Sequence, residues 1–218
     1  MNQTTLDSNN KAQKIAYSSP FIIIAINCIV AIAFGKYIGK WAFLPVILIE
    51  WILFAYFIKV QGESNPFSKW LSKPKGSILW LLLAVSISFP TILIFLKHYT
   101  LLNSWEIILP WVLIFLINPF MEEFYWRGFL LDKTSHRNKW LAILFSSLLF
   151  SANHYVFAIH SELFRGFPVL ISTFLMGFIW ALVYQKTKSL RWTIIAHFIV
   201  DFLNLSVPSF LDLYEKGW

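Results

Sequence analysis

Apolar residues run along this chain in long blocks separated by short polar connectors. A helix that crosses the roughly 30 Å hydrocarbon core of a bilayer needs about 20 mostly apolar residues. Seven stretches meet that requirement: Tyr17–Phe34, Trp41–Ile58, Ile78–Leu96, Trp105–Leu131, Trp140–Ile159, Phe167–Tyr184 and Trp192–Pro208. The connectors hold nearly all the lysines and the polar stretch Gln61–Lys75. This pattern predicts an all-α, polytopic membrane bundle of about seven transmembrane helices. A polar tail over 1–16, expected to fray, precedes a single integral-membrane domain over 17–218. Neither an internal repeat nor a low-complexity tract is evident. The first block also reads as a signal peptide, because Lys11 and Lys14 precede an apolar run ending near Ala31-Ile32-Ala33. The chain downstream is itself a series of spans, so an uncleaved first helix is the simpler account.

Composition agrees with lipid as the solvent. Of the 218 residues 58% are hydrophobic and 13% charged, against about 25% charged in soluble domains. That excludes an ordinary cytosolic enzyme, a disordered chain and a secreted disulfide scaffold; Cys28, the single cysteine, has no internal partner. A net charge of +7 raises the question of nucleic acid. The cations answer it by alternating between connectors rather than forming a stripe. With the amino terminus in the cytoplasm, inside connectors receive Lys11, Lys14, Lys59, Lys69, Lys73, Lys75, Lys133, Arg137, Lys139, Lys186, Lys188 and Arg191, which is 12. Outside connectors receive Lys36, Lys40, Lys97, Arg165 and Lys216, which is 5. That is the bias of a positive-inside membrane protein.

Ionisable residues within spans are costly and mark functional sites by default. Here they are Glu50, Glu122, Glu123, Arg127, His154, His197 and Asp201. The fourth span is the most informative. Pro119 either kinks it or starts a new helix capped by Asn118, which places both glutamates just after a break. Glu123 and Arg127 are four apart and can pair. Glu122 points about 100° away and faces something else. In the fifth span Phe150 lies one turn before His154 and can brace its ring. In the seventh, His197 and Asp201 share a face, with Asn204 one turn later. Phe174 and Gly177 in the sixth mark a close helix approach. A carboxylate and an imidazole on one cavity can take a proton from water, while a second imidazole stabilises an oxyanion. The same groups could hold Zn²⁺ through Glu122, His154 and His197. Spacing does not choose between these.

At these residues the chain resembles the CPBP family of intramembrane endopeptidases, also called the CAAX protease and bacteriocin-processing, or Abi, family. Glu-Glu-x-x-x-Arg is matched by Glu122, Glu123 and Arg127, and Phe-x-x-x-His by Phe150 and His154. Phe-x-x-Gly is matched by Phe174 and Gly177, and the terminal His-x-x-x-Asn/Asp by His197 and Asp201. The resemblance covers about residues 110–205. It implies a bacterial membrane enzyme that hydrolyses a peptide bond in a small or lipid-modified peptide, in peptide processing or bacteriocin immunity, with no nucleic-acid partner. Glu122 would be the general base, with His154 sharing the attacking water. His197 and Asp201 would sit at the oxyanion, with Glu123, Arg127, Phe150 and Asn204 in support. No cofactor is required on that reading. An ionised Asp201 cannot donate as asparagine does, so its expected role is to orient His197 as an imidazolium donor.

Two other classes compete: a non-catalytic immunity or adaptor protein on the same fold, and a small transporter using Glu50, Glu122 and the histidines as a proton path. One geometric tension remains as well. His197 lies 6 residues from Arg191 and His154 lies 14 from Trp140, about 12 Å apart in depth at 1.5 Å per residue. A shared site then requires the fifth helix to start earlier, tilt or break.

Overall fold

A computed structural model describes residues 3–60, 65–136 and 138–214. Residues 1–2, part of the Gln61–Lys75 connector (61–64), Arg137 and Lys216 lie outside the described residues. Every described element is helical: α1 Gln3–Ile38, α2 Phe43–Val60, α3 Pro66–Trp70, α4 Leu79–Ser86, α5 Phe89–His98, α6 Trp105–Glu122, α7 Asp132–Thr134, α8 Lys139–His154, α9 Phe167–Thr187, α10 Arg191–Leu203 and α11 Ser206–Phe210. Between α6 and α7 the helix widens into a π-helical stretch, Glu123–Leu131.

The tail expected over 1–16 is instead the beginning of α1, whose Ala12 and Ala16 are buried. Among the described residues four helical stretches are apolar and long enough to cross a membrane: Asn10–Val60, Trp105–Thr134, Lys139–Ile159 and Phe167–Thr187. A fifth results if α4 and α5, bent by 46°, form one span. The expected count of seven is not confirmed, and the first stretch holds the first two expected spans. The first stretch, of 51 residues, would be about 77 Å long if straight. It folds back at Gly39, where φ is +55°, so that Asn27 meets Glu50 and Val30 and Ala31 pack with Val46. The last expected span breaks instead. α10 has 13 residues, left-handed Leu205 follows it, and α11 is a single short turn.

The depth tension is resolved at α10 rather than at the fifth helix. α8 runs unbroken from Lys139 to His154. The turn before α10 is buried, with Thr187, Ser189 and Leu190 fully covered. The connector before α4 lies over it: Leu190 N–H donates to Trp70 O (2.8 Å), the Ser189 hydroxyl to Ser72 O (2.6 Å), and Arg191 Nε to Leu71 O (2.6 Å). α10 therefore starts against a covered turn, and its seventh residue, His197, lines the same cavity as His154 at the end of α8.

Two features set the walls of the site. Gly177 lets α9 approach α8, since a Cβ there would lie 3.1 Å from the Phe150 ring and 3.2 Å from Ser147 Cα. At the far end Asp212 closes the loop after α8. It accepts from the Ser161 hydroxyl (2.5 Å) and from the N–H groups of Glu162 (2.8 Å) and Leu163 (3.0 Å), and pairs with Lys40 (2.9 Å). Partial burial pushes the Asp212 carboxyl up, but these donors outweigh it and hold it below the usual carboxylate range.

Substituting Gly177→Leu should push α9 away from α8 and destabilise the protein by about 1–3 kcal/mol. Thermal unfolding in detergent would show this as a lowered midpoint, and an unchanged midpoint would refute the close approach.

Candidate active site

Side chains of α2, α6, α8 and α10 converge on one cavity of about 540 Å³. Glu50, Glu122, His154, His197 and Asp201 all line it, as do Asn118 and Asn204. The expected catalytic residues, scattered over 80 positions of sequence from 122 to 201, are thus brought together.

The two neighbouring glutamates have opposite fates, as their spacing predicts. Glu123 Oε1 accepts from Arg127 Nη1 at 2.9 Å, with Glu123 fully buried and Arg127 1% exposed. The guanidinium lies 4.2 Å from the Phe150 ring centre and 5.3 Å from that of Trp180, so aromatic faces support the charge that one carboxylate balances. Glu122 turns to the cavity. Its Oε1 accepts from Asn118 Nδ2 at 3.2 Å, while Oε2 is buried and has no hydrogen-bond partner.

Asn118 does not cap a new helix. α6 continues through Pro119, and the widening begins only at Glu123. The side chain that would have capped is used across the bundle. Asn118 accepts from Trp51 Nε1 at 2.9 Å and donates to both Glu122 Oε1 and Asp201 Oδ2, each at 3.2 Å. A π-helical turn splays side chains that a regular α-helix would keep in register, and such turns often occur at functional sites.

The histidines are held in different ways. Phe150 braces His154 as expected, with ring centres 4.4 Å apart. His154 Nδ1 lies 2.9 Å from Phe150 O. A carbonyl only accepts, so Nδ1 carries the proton and Nε2 of the neutral ring is left as an acceptor. His197 stacks on Trp180 at 4.7 Å. Its Nδ1 lies 3.0 Å from Glu123 Oε1, and its Nε2 lies 3.6 Å from both Glu122 Oε2 and Asp201 Oδ2. The carboxylate within hydrogen-bond distance of His197 is thus Glu123, from another helix. Asp201 stands beside Nε2 at a longer distance because Asn118 holds its Oδ2. Asn204 ends α10, and its buried Oδ1 has no partner.

Glu50 was visible in the sequence as a charge within a span, but its setting was not. Its two oxygens accept from Asn27 Nδ2 (3.1 Å) and Asn153 Nδ2 (2.8 Å), and Asn27 also donates to Asn153 Oδ1 (3.1 Å). This fastens α1 and α2 to the turn that carries His154. Asn27, Asn153 and Trp180 went unrecognised because a lone amide or indole in an apolar run has no spacing signature.

The residues do not fit a zinc site. Among the described residues no three His, Cys, Asp or Glu side chains are placed to hold a metal ion, so the set Glu122, His154 and His197 is not assembled as ligands.

Replacing Glu123 by Ala should cost about 3–5 kcal/mol, because Arg127 and His197 Nδ1 would both lose their buried partner. Glu123→Gln, which keeps an acceptor, should recover part of that loss. Yield and detergent melting midpoints measure both; an Ala variant as stable as wild type would contradict the assignment.

Comparison with known proteins agrees with this geometry. No curated protein and no solved structure matches the chain. The family model described as type II CAAX prenyl endopeptidase Rce1-like matches residues 104–203. That stretch begins just before α6, ends at the last residue of α10, and includes Glu122, Glu123, Arg127, Phe150, His154, His197 and Asp201. Over those residues the chain is similar to the Rce1-like family of CAAX proteases, in keeping with its helical membrane architecture and this set of residues.

Proposed function

We propose that this protein is an intramembrane endopeptidase in which Glu122 activates water for attack on a peptide bond. The observation that carries this reading is the unpartnered, buried Oε2 of Glu122 on a cavity shared with His154 and His197. A water there has two acceptors, Glu122 Oε2 and His154 Nε2, and donates one O–H to each. Its lone pair is then free to attack a carbonyl carbon. The proton passes to Glu122 and from there to the leaving nitrogen. Charge develops on the carbonyl oxygen, and His197 Nε2–H is the donor for it. That role requires the doubly protonated ring, since Nδ1 is already committed to Glu123. The carboxylates of Glu122, Glu123 and Asp201 surround the ring and balance its charge.

The substrate is a small or membrane-associated peptide, including a lipid-modified one. Two properties of the site support this. The cavity is mostly apolar, with Ile94, Ile114, Leu175 and Met176 among its walls. It lies between helices whose outer faces expose Phe89, Leu93 and Ile171, so a chain anchored in lipid can approach without leaving the bilayer. The positive-inside distribution supports a cytoplasmic amino terminus. The resemblance to bacterial family members supports a place in a bacterial cell membrane, with peptide processing or bacteriocin immunity as the use.

Purified protein in detergent should cleave members of a quenched fluorescent peptide library, and strong chelators should leave the rate unchanged. Glu122→Ala, His154→Ala and His197→Ala should each lower turnover by about 10²–10⁴-fold. Turnover that survives all three substitutions would overturn the proposal, and biological protection that persists in a Glu122→Gln strain would point to a non-catalytic adaptor.

A further inference from the structure

A second opening lies behind the turn that carries His154. Phe150, His154 and Phe157 line the cavity of the candidate active site. At 3.6 residues per turn, Ala152, Tyr155 and Val156 fall on the opposite face of that helix. With Ile24 and Cys28 of α1 they line an open groove of about 410 Å³, within the size range of small-molecule sites. Apart from the Tyr155 hydroxyl, the Cys28 thiol and one arginine, the side chains along it are hydrocarbon.

That arginine, Arg165, is the charge on the groove. It is exposed and sits in the loop between the apolar stretches Lys139–Ile159 and Phe167–Thr187, where a span meets the headgroups. Its Nε donates to Ala158 O (2.8 Å) and its Nη2 to Ile159 O (3.3 Å). Those bonds tie the guanidinium to the end of the His154 turn and leave Nη1 free. No carboxylate among the described residues pairs with it. Ala152, seven residues before the end of its stretch, lies about 10 Å deeper. A cation at headgroup level thus continues into an apolar groove that reaches into the hydrocarbon.

We propose that this groove binds a phospholipid, with the phosphate on Arg165 and one acyl chain laid between α1 and the His154 turn. A guanidinium offers phosphate several N–H donors in a planar fork, and apolar walls suit a chain that brings no polar group to bury. Neither half of the site is satisfied alone. Free phosphate leaves the groove walls uncovered, and a neutral acylglycerol leaves the guanidinium without a counter-charge. The bound chain packs against Ala152 and Tyr155, the residues on either side of Asn153 and His154. It braces from the lipid side a turn that Asn27 and Glu50 hold from the interior. The groove is separate from the peptide cavity, and the proposal does not rest on the peptidase reading.

Cys28 is the single cysteine of the chain and lies on the groove wall, so its alkylation reads occupancy directly. The full-length protein in a nonionic detergent is treated with iodoacetamide while phosphatidylglycerol, monooleoylglycerol or glycerol phosphate is added. Phosphatidylglycerol at about ten times its Kd should slow alkylation by about tenfold and raise the melting midpoint. The acylglycerol and the free phosphate ester should change neither. Arg165→Gln should raise the lipid concentration for half protection by at least about tenfold, the loss of a charge-assisted hydrogen bond, and Arg165→Lys should restore part of it. Alkylation indifferent to phosphatidylglycerol, or slowed equally by the acylglycerol or by glycerol phosphate, would overturn the proposal. So would protection of folded Arg165→Gln at the wild-type lipid concentration. Should that variant not fold, the comparison of the added molecules on the wild type decides alone.

Discussion

The site is organised by one buried ion pair. Arg127 lies within the apolar interior with a single carboxylate, Glu123, to balance it and two aromatic faces beneath it. Breaking such a pair leaves an uncompensated buried charge, so Glu123 is fixed, and through its shared Oε1 so is the ring of His197. One contact thus joins the helix of the glutamates to α10. With Glu123 committed to structure, its neighbour is left to the cavity, where Asn118 donates to its Oε1 and His197 Nε2 lies 3.6 Å from its Oε2.

Around that pair the bundle holds other ionisable groups by neutral amides or a backbone carbonyl. Asn118 bridges Glu122 and Asp201, and Asn27 and Asn153 hold Glu50. The backbone carbonyl of Phe150 fixes the tautomer of His154. These uncharged partners orient the acids and imidazoles without neutralising them. In a water-poor interior each such hydrogen bond also removes the cost of a buried unsatisfied group. The result is a set in which Glu122, with its unpartnered Oε2, and His154 line one cavity.

Much of this arrangement was legible in the sequence wherever the interaction is local. The i,i+4 spacings announced Glu123 with Arg127 and Phe150 with His154, and the close approach at Gly177 followed from glycine in an apolar helix. What was not legible depends on distant contacts. Glu123 and His197 are separated by 74 positions, and nothing in either segment names the other, so Asp201 looked like the partner of His197. The amides of Asn27 and Asn153 gave no signal for the same reason. Hydropathy weighs side chains and ignores backbone breaks such as the left-handed Leu205, so it does not show where the last expected span stops.

The central claim is that adjacent glutamates divide the work, Glu122 chemical and Glu123 structural. The most direct measurement compares Glu122→Gln and Glu123→Gln side by side for melting midpoint and peptide turnover in the same detergent. The account predicts that Glu122→Gln melts like wild type yet loses turnover, while Glu123→Gln melts at a lower temperature. Retained turnover in Glu122→Gln, or a loss of stability confined to it, would contradict the account.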